Sequence, residues 1–480
     1  MAILDRLPRH LFSQRGWGLL AAGAVSLLSA QIMGRRDLLS LSVLLIVLPL
    51  VSLAGIRLVK PRFQVYREFN PSPVETSAPT TVRLAVGRTG LGTGRAIMEE
   101  RLPHRFGESP AFHFPARSAT GGTSRYEYHL RSAHRGQFRI GPVTAEFTDP
   151  FGLSLHRQAI DDGDILTVTP AAVELPVTGL AGARGNDGVT ATRTRANPSD
   201  DDVMTREYRH GDPMRRVHWP ATARHGALMV RQEESVTTPE ATIILDQRHV
   251  AFSGSGGAGF GGNASAEGHE MASSDTFEWA VVMAMSVSAH LAERNYALRV
   301  LDVKGDPGFL RSPSAPEPDT EEFSGIGGLQ SIAESLAAIQ LSGPHHGRRD
   351  SGRKTEAVSG RNHGSSQDSG PAAFDDHLMD KLSAHRMRGP LIAVLGRISL
   401  AEATALAPAA GYGANAFALI VAERPAEFDD VLEALRQGGW RAAAVAPSVS
   451  AATAWRYFDL GGAELDAAAA DVRRGAGVAR

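Results

Sequence analysis

The chain contains no cysteine. That excludes disulfides, thiolate zinc sites, iron–sulfur ligation and cysteine nucleophiles together. It also lacks an excess of either charge: 50 Lys and Arg stand against 52 Asp and Glu, a formal net charge of -2. A globally basic nucleic-acid binder is therefore not indicated. Missing too are a Gly-x-Ser-x-Gly elbow, a Walker-type lysine loop and a His-Glu-x-x-His helix. These are the short signatures of a serine nucleophile, a phosphate cradle and a zinc helix. What remains is 480 residues, more than one core organises, since cores stop growing near ~250–300 residues. Two soluble domains and an anchor make the first count.

The anchor is read from two uncharged runs, Gly16 to Gly34 and Leu38 to Ile56. Each comes close to the ~20 residues that cross the hydrocarbon core as a helix. Only Arg35, Arg36 and Asp37 separate them, which predicts a tight antiparallel hairpin over residues 1–62, with Pro49 tolerated inside its second helix. A cleavable signal peptide would explain the first run, but the second follows at once and no small-residue cleavage site stands out before Arg35. A buried hairpin of a soluble protein is the other alternative. Basic residues on the outer flanks, Arg6, Arg9, Arg15, Arg57, Lys60, Arg62 and Arg67, outnumber the two in the connection. The positive-inside rule then predicts a multi-pass protein of the cell membrane with its body in the cytoplasm.

Residues 63–175 read as strands. Apolar side chains alternate in Thr81-Val82-Arg83-Leu84-Ala85-Val86 and again in Arg125-Tyr126-Glu127-Tyr128-His129-Leu130, the period of a sheet with one wet face. Turn signals at Pro71-Ser72-Pro73, Gly121-Gly122, Gly141-Pro142 and Asp149-Pro150 suggest an all-β sandwich of the immunoglobulin type. Two strings stand out, Arg135-Gly136-Gln137-Phe138-Arg139-Ile140-Gly141-Pro142 and Asp149-Pro150-Phe151-Gly152-Leu153. They read either as ligand loops or as corners of the sandwich, the second as a tight turn around a buried aromatic.

The segment 176–235 is dense in arginine: Arg206-Glu207-Tyr208-Arg209-His210-Gly211-Asp212-Pro213, then Arg215-Arg216-Val217-His218-Trp219-Pro220, then Thr222-Ala223-Arg224-His225-Gly226. Guanidinium forks recognise carboxylate or phosphate through two parallel bonds, and Gly-Asp-Pro makes a turn that could aim several of them at one point. One reading is an anion site or a docking surface for an acidic partner, carried by Arg206, Tyr208, Arg209, Asp212, Arg215, Arg216, His218, Trp219 and Arg224. The other is an internal network in which Arg206, Glu207, Asp212, Arg215 and Arg224 pair and Trp219 plugs a domain junction. Nucleic acid is disfavoured, because only Tyr208 and Trp219 offer stacking platforms here.

The hairpin, the two strings above and Arg-Glu-Tyr-x-x-Gly-Asp-x-x-Arg-x-x-His-Trp at 206 to 219, followed by Ala223-Arg224, together resemble the bacterial domain of unknown function 58 family. The resemblance covers the chain from the anchor to at least residue 234. It implies a von Willebrand factor A-like domain after the motif, and association with a MoxR-type AAA ATPase and a transglutaminase-like membrane protein. It implies no enzymatic activity.

Independently of that resemblance, residues 236–470 read as α/β. Short apolar runs at Ala241–Leu245, Ala297–Leu301, Leu391–Leu395, Ala416–Val421 and Ala442–Val445, with a helical run from Phe277 to Arg294, argue for a mostly parallel sheet covered on both faces, Rossmann-like in class. A von Willebrand A domain would hold a divalent metal through Asp-x-Ser-x-Ser after its first strand. Here Asp246 is followed by Gln247, Arg248, His249 and Val250, so the position is degenerate and no metal or other cofactor is expected. Polar inserts near 253–274 and 342–373 are expected to be mobile. The leading functional expectation is a membrane-anchored, non-enzymatic scaffold or adaptor for protein partners. An anion- or phosphate-sensing module built on the central arginines is the alternative, and a hydrolase using His210, Asp212 and His218 is a further one.

Overall fold

The computed structural model describes residues 12–58, 62–89, 96–115, 123–149, 151–176, 205–208, 214, 217–231, 239–252, 273–342, 373–384 and 389–458. Apart from Ser273, Ser274, Ser342 and Ala373, the two expected inserts lie outside these residues.

Two apolar helices near the N-terminus, α1 (Gln14–Met33) and α2 (Arg36–Leu58), form the hairpin, and both are long and apolar enough to cross a membrane. Ser13 caps α1 by accepting from the Gly16 N–H, and Gly34, at φ +64°, turns the chain where a side chain would be strained. At Gly23 the helices touch: a Cβ there would stand 2.7 Å from Ile46 Cγ1. Val25, Leu28, Leu44 and Val51 point outward, each at least 60 % exposed, the reverse of a helix on a soluble core.

Ten strands follow: β1 (Arg62–Asn70), β2 (Val74–Glu75), β3 (Pro79–Thr89), β4 (Ala96–Glu100), β5 (Ala111–Phe114), β6 (Thr123–Arg131), β7 (Gly136–Ile140), β8 (Val143–Thr148), β9 (Leu155–Ala159) and β10 (Asp164–Thr169). β1-β3-β6 form one sheet, and two further sheets, the four-stranded β5-β4-β8-β9 and the three-stranded β2-β10-β7, face it. The expected alternation holds on β3, where Val82, Leu84 and Val86 are almost wholly buried. Each such side chain contributes ~1.5–3 kcal/mol.

The inner face of β1 carries a charge between the two apolar clusters. Arg67 bonds to Glu100, to Asp161 (2.8 Å) and to Asp164 (2.5 Å), and the Tyr128 hydroxyl donates to Glu100 (2.7 Å). Arg67 is therefore not one of the charges beside the membrane: it is a buried residue paired with three carboxylates. Burial works against its charge, but the surrounding carboxylates outweigh that and hold the guanidinium above its ordinary value. Gly141, at φ +100°, passes over this group, and a Cβ there would stand 2.7 Å from Gly163 Cα and 3.0 Å from an Arg67 nitrogen. The Gly141-Pro142 string is thus required by a close crossing rather than by a ligand.

Next come β11 (Thr205–Glu207), α3 (Trp219–His225) and β12 (Met229–Arg231). The last part contains β13 (Glu240–Leu245), α4 (His249–Phe252), α5 (Asp275–Ala292), β14 (Ala297–Leu301), β15 (Glu322–Phe323), α6 (Gly325–Ala337), α7 (Asp376–Ala384), β16 (Pro390–Leu395), α8 (Leu400–Leu406), β17 (Asn415–Val421), α9 (Asp429–Gln437), β18 (Trp440–Val445) and α10 (Ala451–Arg456). Its sheet runs β15-β14-β13-β16-β17-β18, parallel except for the edge strand β15. One face packs on α5, α6 and α10, the other on α7, α8 and α9. Burial on both faces explains the unbroken apolar runs of β13, β16 and β17.

Candidate functional site

In the central segment, β11 and β12 pair antiparallel, Arg206 opposite Val230, and Val217 bridges to Val230 as well. Val217, Met229 and Val230 make its small core. The Tyr208 N–H donates to the Leu228 carbonyl (2.8 Å), closing the hairpin from within. His218 precedes α3, and its Nδ1 accepts from the Ala221 N–H at 3.2 Å. That ring nitrogen is a helix cap, and of the residues of the hydrolase alternative, His210 and Asp212 lie outside the described residues. Pro220 in the first turn and Gly226, at φ +69°, after the last residue explain why these seven residues form a discrete helix. Arg224 and His225 lie in its last turn, where positive charge meets the negative end of the dipole.

Trp219 is the first helical residue and is 63 % exposed, with Met214 at 56 % and Leu228 at 39 %. The expectation that Trp219 plugs a domain junction fails, because the indole at the start of α3 points outward. Tyr208, His218, Trp219 and Arg224 are thus placed by the structure. The side chain of Arg206, together with Arg209, Asp212, Arg215 and Arg216, lies outside the described residues.

The two strings noted in the sandwich are spent on joints. Arg135 is 2 % exposed and reaches out of the sandwich to the last part of the chain. Nε and Nη2 pair with both oxygens of Glu278 on α5 (2.9 Å each), and Nη1 donates to the carbonyls of Leu336 (2.7 Å), Ala337 (3.2 Å) and Ile339 (2.9 Å) at the end of α6. Its guanidinium also stands 5.6 Å from the Phe277 ring centroid. The end of a helix offers carbonyls without helical partners, and Arg135 takes them. Nearby, the Val173 N–H donates to Ser286 (2.9 Å), and Leu175 enters the core against α5.

Asp149 makes the other joint. Its carboxylate accepts from the N–H groups of Phe151 (3.0 Å), Leu153 (2.6 Å) and Ser154 (2.7 Å) and from the Ser52 hydroxyl of α2. Burial raises its pKa, but these donors prevail and hold it below the usual carboxylate range. The Ser13 N–H and hydroxyl donate to the carbonyls of Leu153 (2.9 Å) and Gly152 (2.6 Å). The aromatic of this turn was expected to be buried. Phe151 is instead 65 % exposed, because Asp149 gathers the backbone inward and leaves the side chain outside.

In the six-stranded sheet the strand order reverses at β13, the point where open α/β sheets usually bind ligands. Asp246, fully buried, follows β13 there. Its Oδ1 accepts from the backbone N–H and Nε of Arg248 (3.0 Å each) and its Oδ2 from Nη2 (2.8 Å), while Nη1 pairs with Glu402 on α8. Burial opposes the Arg248 charge, yet the two carboxylates hold it protonated above its ordinary value. Opposite, Asp302 follows β14 and is pushed up by burial, against the N–H bonds from Lys304 and Asp306. A cavity of about 30 Å³ lies beside Arg248 and Asp302, and neither Asp246 nor Glu402 lines it. They do not fit a divalent cation, since a fixed positive charge already holds both oxygens of Asp246.

A comparison with the curated proteins finds no match. The model of the family described as Protein of unknown function DUF58 matches residues 204–260, which span the exposed Trp219 surface and Asp246 with Arg248. The match falls on the central motif and bears out its resemblance to that family over these residues.

Proposed function

We propose that the protein is a membrane-anchored scaffold that engages protein partners through the surface around Trp219. The hairpin spans the membrane twice and the body lies in the cytoplasm. The orientation rests on the basic flanks of the hairpin, a count that loses Arg67 but keeps Arg6, Arg9, Arg15, Arg57, Lys60 and Arg62 against Arg35 and Arg36. The two-layer packing supports an immunoglobulin-like reading of the sandwich. The parallel sheet with Asp246 after β13 supports a von Willebrand A-like reading of the last part.

The observation that carries the proposal is the 63 % exposure of Trp219, together with that of Met214 and Leu228, within the segment that the family model matches. Tryptophan, tyrosine and arginine are the residues most enriched among those that dominate protein interfaces. A folded segment whose indole points away from its own core has a use for it outside the chain. The resemblance names the first partner to try, a MoxR-type AAA ATPase, with a transglutaminase-like membrane protein second. The test is binding of that ATPase to the full-length protein in detergent, compared with Trp219→Ala and with Trp219→Ala/Arg224→Ala. Both positions are exposed, so both variants should melt like the wild type. A weakening of about 30-fold or more for Trp219→Ala is expected of a central aromatic anchor. Equal binding by all three proteins would refute the assignment.

A further inference from the structure

The turn 149–153 is unusual in being held from inside while carrying an apolar tip. Asp149 ties down three backbone N–H groups, yet the side chain presented is phenylalanine, 65 % exposed, where turns ordinarily show polar residues. What lies beside it is the open end of the hairpin. Ser13 and Ser52 both bond to the turn, and Gly16 packs so close that a Cβ would stand 2.1 Å from the Leu153 carbonyl oxygen. Phe12 bridges to Ser154, and its ring meets Trp17 edge-on at 5.4 Å.

The hairpin's register sets the depth of this site. Gly23 contacts Ile46, so in the antiparallel pair Ser52 is level with Trp17. From there to the connection at Gly34 is a rise of about 26 Å at 1.5 Å per residue, against a hydrocarbon layer of ~30 Å. If the connection lies at one face of the bilayer, the turn lies at the other. Phenylalanine has no polar atom to keep in water, and at that depth its ring can be buried at the boundary between headgroups and acyl chains, where interfacial segments place Trp, Phe and Leu.

We infer that Phe151 inserts into the bilayer at the boundary between headgroups and acyl chains, so that the sandwich rests on lipid as well as on the hairpin. The occupant of this surface is lipid. The assignment follows from the continuity of Phe151 with the lipid-facing hairpin, and it rests on the membrane-spanning reading above. It gives the 149–153 string two functions: Asp149 fastens the turn to α2, and Phe151 fixes the height of the body over the membrane.

The absence of cysteine makes the test clean. Phe151→Cys, Leu44→Cys and Leu400→Cys are each labelled with a nitroxide in the full-length protein and reconstituted into phosphatidylcholine/phosphatidylglycerol vesicles. Leu44 is an outward-facing residue of α2, and Leu400 is an exposed residue of α8. Accessibility to oxygen and to a water-soluble nickel complex is then compared by power saturation. The expected oxygen-to-nickel ratio is highest at 44, several-fold lower at 151, and several-fold lower again at 400. If 151 matches 400 while 44 reads lipid, the inference is overturned and the anchor stands. A label at 151 shielded from both reagents would mean that protein covers Phe151, which also overturns it. Should 44 itself read water, the membrane-spanning reading fails and the inference with it.

Discussion

The sandwich is fastened at two ends, and the two joints are built on opposite charges. Toward the hairpin the fastener is an acid, Asp149, which collects donors; toward the α/β part it is a base, Arg135, which collects acceptors. The difference in strength lies in where the partners sit. Three of the four donors to Asp149 belong to its own turn, and only Ser52 comes from α2. The guanidinium of Arg135 bonds to Glu278, Leu336, Ala337 and Ile339, all across the joint and 143 to 204 residues away. One carboxylate shapes a loop that then leans on the helices, while one guanidinium stitches two cores together. The sandwich and the α/β part should therefore move as one unit, with compliance concentrated at the hairpin.

Arg135→Ala should show the largest effect. It leaves three helix-end carbonyls without their donor and Glu278 with the Ser273 hydroxyl in place of its ion pair, a loss of about 2–4 kcal/mol given that Glu278 keeps some access to water. Hydrogen exchange should quicken at residues 336–339 and in the first turn of α5, while β13 and β16 stay protected. Arg135→Lys should recover only part of it, since an ammonium cannot span both Glu278 and the carbonyls. Unchanged exchange in Arg135→Ala would remove the asymmetry claimed here.

Asp149→Ala should cost less, about 1–3 kcal/mol, by freeing three amides in the turn. Its signature is local: faster exchange at 151–154, with none of the change at 336–339. Loosening at both places would mean that the joints are coupled.

The joint at α5 should also respond to pH. His290 is 3 % exposed and its pKa is lowered to about 4 by burial first and by Arg294 second, against a hydrogen bond to the Leu175 backbone. Between pH 6.5 and about 4 the unfolded chain takes up a proton that the folded chain refuses, so stability falls as pH falls through that window. The loss should be on the order of 3 kcal/mol in all. His290→Gln should be insensitive in the same range when urea midpoints are compared, and a parallel fall in the variant would locate the effect elsewhere. Ser52→Ala, which removes the single donor from the hairpin to Asp149, should cost least, under about 1 kcal/mol by thermal melting in detergent.

What the sequence disclosed follows from the range of its patterns. The uncharged runs of the hairpin, the alternation in β3 and the buried runs of β13 and β16 are local, and each was legible because one element's environment is written in its own period. Arg67 was misplaced because an arginine just past an apolar helix reads as a flank, and only its alternation with Val65 and Phe69 hints at an inward face. Phe151 was misjudged because Asp149 sets its direction through backbone bonds that leave no trace in hydropathy. Arg135 carries no local signal, since its partners are helix ends whose placement depends on the whole fold. Around Trp219 the residue types were legible and the exposure was not.

Trp219 is where the functional account is most directly exposed to test. A photo-crosslinking phenylalanine analogue placed at 219, or at Leu400 as a remote exposed control, can be irradiated in cells that also produce the MoxR-type ATPase. The account predicts an adduct with the ATPase from position 219 and none from 400. No adduct from 219, or equal adducts from both positions, would contradict it.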